Sequence, residues 1–232
     1  MKAPTPDNAA ERVAVLREYH ILDTGAEQAY DDITKLAAHL CDVPIATVSL
    51  LDESRHWHKS GVGISRREGR RDQAFLSAHA ILQSEPLIVR DALKDVRFAK
   101  SPLVTSAPHI RFYAGFPLVS PEDFALGALC VIDRKPRQLS ATQKKAMQAL
   151  ARQVMALLEL RRVSARMAHV LEKVHLLHGL LPICAWCKRI RDDDGYWQQV
   201  EAYVHKHLGA DFTHGICPEC MKKQRPKKPK AA

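Results

Sequence analysis

Residues 110–133 read IRFYAGFPLVSPEDFALGALCVID, and this stretch decides the fold. Ile110–Val119 and Leu126–Asp133 are two apolar runs of strand length. The turn chemistry of Ser120-Pro121-Glu122-Asp123 lies between them. Two strands joined by so short a connection must pair antiparallel, because a parallel pair needs a crossover of a dozen residues or more. An antiparallel hairpin is therefore expected here.

Upstream, Pro44–Leu51 (PIATVSLL) is short, apolar and rich in β-branched residues, as in a buried strand. Trp57–Val62 can pair back on it across Asp52-Glu53-Ser54. Pro86–Val89 is a third short strand in this part of the chain. RREGRRD at 66–72 is too charged for a core and reads as a loop, as does the irregular segment from Lys94 to His109. Helices flank these strands. One is expected over about 9–19, with Asn8 and Glu11 as a capping box, and one over about 26–41, with Thr24 and Glu27 in the same roles. Ile33, Leu36, Ala37 and Leu40 recur at helical spacing and should face the core. Residues 75–83 can form a short helix carrying Ser77 and His79.

Ser140 and Gln143 open a long helix with a third capping box. Met147, Leu150, Val154 and Leu157 form one 3,4,3 stripe, which is expected to pack on the N-terminal domain. Leu160, Val163, Met167, Val170, Val174 and Leu177 form a second, shifted by one step. The second reads as a coiled-coil seam for another copy of the chain, or as a face packed on its own chain. Gly179 and Pro182 end the helix.

Beyond it stand two C-x-x-C pairs, Cys184/Cys187 and Cys217/Cys220, separated by 29 residues. Each pair can chelate from one tight turn, and two pairs complete a tetrahedral thiolate shell that suits structural Zn²⁺. His214 is a candidate replacement ligand. A dithiol redox switch is the rival reading, favoured by the adjacent Lys188 and Arg189. Covalent haem attachment wants C-x-x-C-H, and Lys188 follows Cys187 instead. Asp192-Asp193-Asp194-Gly195 is a turn, and Trp197, Val200, Tyr203 and Val204 suggest a helix over 196–208.

The chain has 232 residues, 46% hydrophobic and 26% charged, with net charge +9. Residues 221–232 hold six Lys and Arg and no acid, leaving +3 for the rest. Pro226 and Pro229 argue for a disordered basic tail, with contact to nucleic acid as the sharper reading. No apolar run reaches the ~18–20 residues of a membrane span, and the N-terminus lacks a signal-type stretch, so a cytoplasmic location is expected. Phosphate loops, Ser-His-Asp patterns and HExxH are absent from the sequence, so the expectation is a protein that is not an enzyme.

The order of elements, with ERVAVLREYHILDTG at 11–25, VPIATVSLLDESRHWHKS at 43–60, SAHAILQSEPLIVRDALKDVRFAKSPLV at 77–104, HIRFYAGFPLV at 109–119 and LGALCVIDRKPRQLS at 126–140, resembles the GAF domains of bacterial signalling proteins. The segments LLPICAWCKRIRDDDGYW (180–197) and FTHGICPECMKK (212–223) resemble a cysteine-rich module that follows sensory domains in some such proteins. The resemblance implies an α+β fold: a GAF-type antiparallel sheet of five or six strands with flanking helices, then a long signalling helix and a small four-cysteine zinc-type module. The expected boundaries are 1–138 for the sensor (core about 9–160), 139–179 for the helix, 180–220 for the module and 221–232 for the tail.

By resemblance alone, His79, Arg97, His109, Arg111, Phe112 and Tyr113 are candidates for binding an unidentified small molecule. Bilin-binding relatives would carry a cysteine near Ser77, where this chain has serine. Cys41 and Cys130 read as small core residues, which weighs against the methionine sulfoxide reductase chemistry of some GAF proteins. The expected function is sensing of a ligand or redox state, relayed through a helix in a homodimer to the zinc module and a signalling partner on a separate chain. The alternatives are a nucleic-acid-binding regulator and a thiol or metal sensor with the GAF domain as scaffold.

Overall fold

The computed structural model describes residues 5–70, 75–83, 85–178, 181–192 and 194–224; at 75, 172–178, 207, 208 and 224 it describes the backbone alone. The chain divides into two compact units, Met1–Ala168 and His169–Ala232.

The first unit is built on β1 (Ile45–Leu51), β2 (Arg55–Val62), β3 (Glu68–Arg70), β4 (Leu87–Val89), β5 (Phe112–Val119) and β6 (Ala125–Asp133). They form one sheet in the order β3-β2-β1-β6-β5-β4. Every pairing is antiparallel, and the β5–β6 hairpin keeps its register from Phe112↔Asp133 to Leu118↔Gly127. The helices are α1 (Ala9–Glu18), α2 (Gln28–Cys41), α3 (Phe75–Ala80), α4 (Pro102–Thr105) and α5 (Ala141–His178), the last continuing into the second unit.

Alternation along the strands gives the sheet two apolar faces. Ala46, Val48, Leu50, Phe112, Phe116 and Leu129 point to one side, against Leu16, Tyr30, Ala37, Met147, Val154 and Leu158 of α1, α2 and α5. Leu51, Tyr113, Ala128 and Cys130 point to the other, against Leu76, Ala78 and Ala80 of α3 and against Phe98, Val104 and Ile110. Both faces are covered, so β1 is buried at all seven positions.

Of the three expected capping boxes, one forms. The Ser140 N–H donates to Gln143 Oε1 at 2.9 Å and the Gln143 N–H donates to Ser140 Oγ at 3.1 Å. At α1 the Asn8 side chain makes no cap bond. Thr24 Oγ1 donates instead to Ile21 O at 2.7 Å, and α2 starts two residues later than expected.

Other expectations are corrected as well. Leu36 is 50% exposed, because the buried stripe of α2 runs through Tyr30, Thr34, Ala37 and Cys41 and leaves it on the flank. The charged segment expected as a loop contains β3, an edge strand whose charges stay in solvent; Arg55 and Glu68 pair across it at 2.7 Å. Part of that segment, 71 and 72, lies outside the described residues. The stretch expected to be irregular contains the single turn α4, with Pro102 at its start.

The second unit contains β7 (Ile190–Arg191), β8 (Trp197–Gln198), α6 (Val200–Leu208) and α7 (Pro218–Gln224). Trp197 belongs to a strand and not to the expected helix. Gly195 at φ +89° and the Asp192 N–H bond to Tyr196 O fold the chain into a β7–β8 hairpin before α6 starts. Lys222 and Lys223 lie in α7 and not in an unstructured tail, while 225–232 fall outside the described residues. Among the described residues, no helix is long and apolar enough to cross a membrane.

Candidate functional site

On the α3 side of the sheet, a polar stripe runs through an otherwise apolar core. Thr47 and Ser49 alternate inward on β1, and their hydroxyls lie 2.9 Å apart. Ser49 Oγ is 2.8 Å from Nδ1 of His58, its cross-strand partner on β2. Thr47 faces Cys130 across the β1–β6 ladder. The Tyr113 hydroxyl lies 3.3 Å from Cys130 Sγ, and Ser77 Oγ of α3 lies 3.9 Å from it. Tyr113, Thr47, Ser49 and Cys130 are all buried.

Gly115 makes this arrangement possible. It pairs with Cys130, and a Cβ there would sit 2.4 Å from the Tyr113 hydroxyl, so the phenol lies over a bare backbone. Burial pushes the Tyr113 phenol and the Cys130 thiol up, and holds His58 down at about 4, with His56 adding to the His58 effect. The stripe is thus neutral at ordinary pH and can exchange hydrogen bonds with a polar ligand. His58 also lines a cleft of about 360 Å³ at the β2 edge with Asp31, Lys35, Arg66 and Arg67.

The six pocket candidates do not converge. Tyr113 alone belongs to the stripe. Phe112, its chain neighbour, points to the opposite core by strand alternation. His79 packs edge-on against Phe98 at 5.0 Å, and the Arg97 guanidinium lies 4.8 Å from the same ring while paired to Asp95 at 2.7 Å. Arg111 Nη1 donates to Val104 O and Ile110 O. His109 is exposed in a loop at φ +59°. The sequence reading missed Thr47, Ser49 and His58. Their signal was present in the inward phase of PIATVSLL, where two hydroxyls interrupt an apolar strand.

Where the buried stripe of α5 ends, three arginines tie that helix to the rest of the first unit. Arg162 is 7% exposed and meets Glu122 at 2.7 Å and Glu159 at 2.9 Å, with its guanidinium 4.8 Å from the Tyr19 ring. Arg161 bonds Glu27, which also receives the fully buried Lys59, and Arg166 bonds Glu18 at 2.5 Å. Interleaved with these arginines and continuing past them, Leu160, Val163, Met167 and Val170 are 54–64% exposed. Val174 and Leu177 have no described side chains.

In the second unit each cysteine pair closes on itself. The Cys187 N–H donates to Cys184 Sγ at 3.4 Å, and the Cys220 N–H donates to Cys217 Sγ at 3.5 Å. These backbone donors hold the Cys184 and Cys217 thiols below their ordinary value. Among the described residues, no three His, Cys, Asp or Glu side chains gather at one point that could hold a metal. His214 is exposed between the pairs.

The family model described as "GAF domain" matches residues 25–158. A cyclic di-GMP phosphodiesterase of Pseudomonas aeruginosa is 40% identical over 154 residues, which are 66% of this chain and 26% of that protein. This chain thus spans about a quarter of the relative's length. The GAF domain of an Acinetobacter phosphoenolpyruvate-protein phosphotransferase superposes with a TM-score of 0.50 at 16% identity, over 67% of this chain and 98% of that one.

The relative corrects one expectation. A chain without catalytic signatures was read as not an enzyme, yet the same sequence pattern stands in a protein named as one. Motif search was blind to this, because a segment matching a quarter of an enzyme need not carry its catalytic residues. The six-stranded antiparallel sheet, its flanking helices and a match over more than half of the residues agree: this chain belongs to the GAF domain family.

Proposed function

We propose that this chain is a sensor acting in cyclic di-GMP signalling, with its GAF domain setting the output of a cyclic di-GMP phosphodiesterase activity. The observation that carries this is the 40% identity over 154 residues with a protein named for that activity. The ligand is a small polar molecule taken up on the Tyr113–Cys130–Ser77 side of the sheet. Hydroxyl, thiol and imidazole groups supply its hydrogen bonds there, within apolar walls. A ligand is favoured over a redox signal at this site. The Cys130 thiol is buried and its pKa is raised, the reverse of a reactive sensor cysteine.

The output runs through α5. Ligand occupancy biases its packing where Arg161, Arg162 and Arg166 clamp it, and the exposed Leu160, Val163, Met167 and Val170 meet the same stripe of a second copy. Their 3,4,3 spacing matches a coiled-coil seam. A ligand shifts such an equilibrium only as far as it binds one arrangement better.

The test is to express the full chain in a bacterium and quantify cyclic di-GMP, alongside turnover of added cyclic di-GMP by the purified chain. The wild type is expected to shift the cellular pool, and Val163→Lys with Met167→Lys to abolish that shift. An unchanged pool together with zero turnover refutes the proposal.

A further inference from the structure

The second unit poses a stability problem. Among its described residues, Ile190 is the one buried hydrophobic side chain, while Trp186 is 95% exposed, Tyr196 73% and Ile216 59%. Apolar burial on this scale cannot offset the ordering of several dozen residues. Small units of this kind are held by a cross-link or a metal.

Two turns in the unit carry the cysteine pairs. At the first, the Lys188 N–H donates to Cys184 O at 3.0 Å and the Cys184 N–H donates to Arg189 O at 2.8 Å. Lys188 sits at φ +61°, a left-handed conformation that a residue with a Cβ adopts only at a cost. The turn leads straight into the β7–β8 hairpin, with Ile183 bridged to Ile190. At the second, Cys217 precedes α7 and Cys220 lies in its first turn, and the Met221 N–H donates to Cys217 O at 3.0 Å. One turn opens a hairpin and the other opens a helix. Both nonetheless place the second cysteine's N–H on the first cysteine's sulfur, at 3.4 and 3.5 Å. That shared geometry brings the two cysteines of each pair round one tight turn, the arrangement by which a C-x-x-C pair chelates one ion.

We propose that Cys184, Cys187, Cys217 and Cys220 form a single closed tetrathiolate Zn²⁺ site, and that the ion serves as the core of the second unit. Thiolates select a soft divalent metal, and four of them leave no open position for substrate. Four thiolates around a divalent ion carry a net charge of −2. Lys188, Arg189, Lys222 and Lys223 lie within three residues of a ligand and offset it. The two pairs stand apart here, so the ion closes the intervening 29 residues as it binds, and metal uptake is coupled to ordering of the module. The site is independent of whether the GAF domain holds a ligand.

The test is native mass spectrometry of the reduced full chain with added Zn²⁺, then Co²⁺ substitution followed by absorption. One metal per chain is expected, with the sulfur-to-cobalt band and the visible intensity of a tetrahedral four-sulfur site. Cys187→Ser and Cys217→Ser should each weaken zinc binding ~100-fold or more. His214→Ala should leave both stoichiometry and spectrum unchanged. Buried Trp57 reports in every variant that the first unit is intact, which separates a loss confined to the module from unfolding of the whole chain. Three results would overturn the proposal: a reduced chain that takes up no metal, one ion shared between two chains, or a cobalt spectrum altered by His214→Ala.

Discussion

Acidification should destabilise the GAF unit through one histidine. His58 is held at about 4 in the folded protein, against an ordinary 6.5, because burial and the neighbouring His56 ring disfavour its charged form. Between those values the unfolded chain binds a proton that the folded chain refuses. Stability is therefore fully present above pH 6.5 and falls as the pH drops toward 4. At pH 4.5 the loss attributable to His58 is at most about 2.5 kcal/mol, from the two pKa values and 1.36 kcal/mol per unit. His56, also lowered by burial, acts in the same direction. The other charged groups around His58 are Asp31, Lys35, Arg66 and Arg67, which line the same cleft. The Arg-paired carboxylates Asp23, Asp95 and Glu122 lie below their ordinary 3.8 to 4.5, so their loss comes at more acid pH.

Urea unfolding between pH 7.5 and 4.5, followed by Trp57 emission, reads this window, because Trp57 is 4% exposed while Trp186 is 95% and Trp197 47% exposed. His58→Asn keeps a hydrogen-bond partner for Ser49 and removes the titration. Wild type should lose stability across the window and the variant should lose clearly less. Equal slopes in the two proteins would show that His58 ionises freely in the fold, and would remove the account of a neutral polar stripe.

Further substitutions test the sheet, the clamp and the knuckle. Gly127→Ala should cost about 2 kcal/mol or more in urea unfolding, since its Cβ would lie 2.0 Å from Ser49 O in the backbone of β1, whereas Gly215→Ala, with open space, should cost little. Arg162→Met should cost about 1–2 kcal/mol and free the base of α5, read as faster amide exchange around residues 155–166; unchanged exchange would refute the clamp. Lys188→Gly should relieve the left-handed turn and slow zinc transfer to a chelator, and faster transfer would count against the strain.

The sheet was legible because its evidence is local. The hairpin at 110–133 and the β-branched run at 44–51 each state their structure within ten residues, and the pairing follows from chain geometry. Capping was less legible, since Thr24 and Glu27 present the right residue types. The Thr24 hydroxyl goes to Ile21 O, and Glu27 is taken by the buried Lys59 and by Arg161 of α5. A distant cation outbid a local motif, and sequence spacing cannot show that. The same holds for the site. Phe112 and Tyr113 are adjacent in sequence, but alternation sends them into different cores, so a resemblance that names both as pocket residues can be right for only one of them.

These two limits converge on α5. Its first stripe was readable as packing, because Met147, Leu150 and Val154 need only an apolar wall, although the last buried position is Leu158 and the expected Leu157 is only partly buried. Arg162 was not, because a buried arginine gains its place from Glu122, Glu159 and the Tyr19 ring, drawn from three separate parts of the chain. Such a group is costly to bury alone and stable only while every partner is in register. The proposed transfer of a signal from the sheet to α5 calls for a contact of this sort. A purely apolar seam tolerates small slips, whereas a buried charge bound to several carboxylates has few acceptable positions. In the proposed relay, the shift from apolar packing to charged clamping between Leu158 and Arg162 is where a change on the sheet becomes a discrete change in the helix.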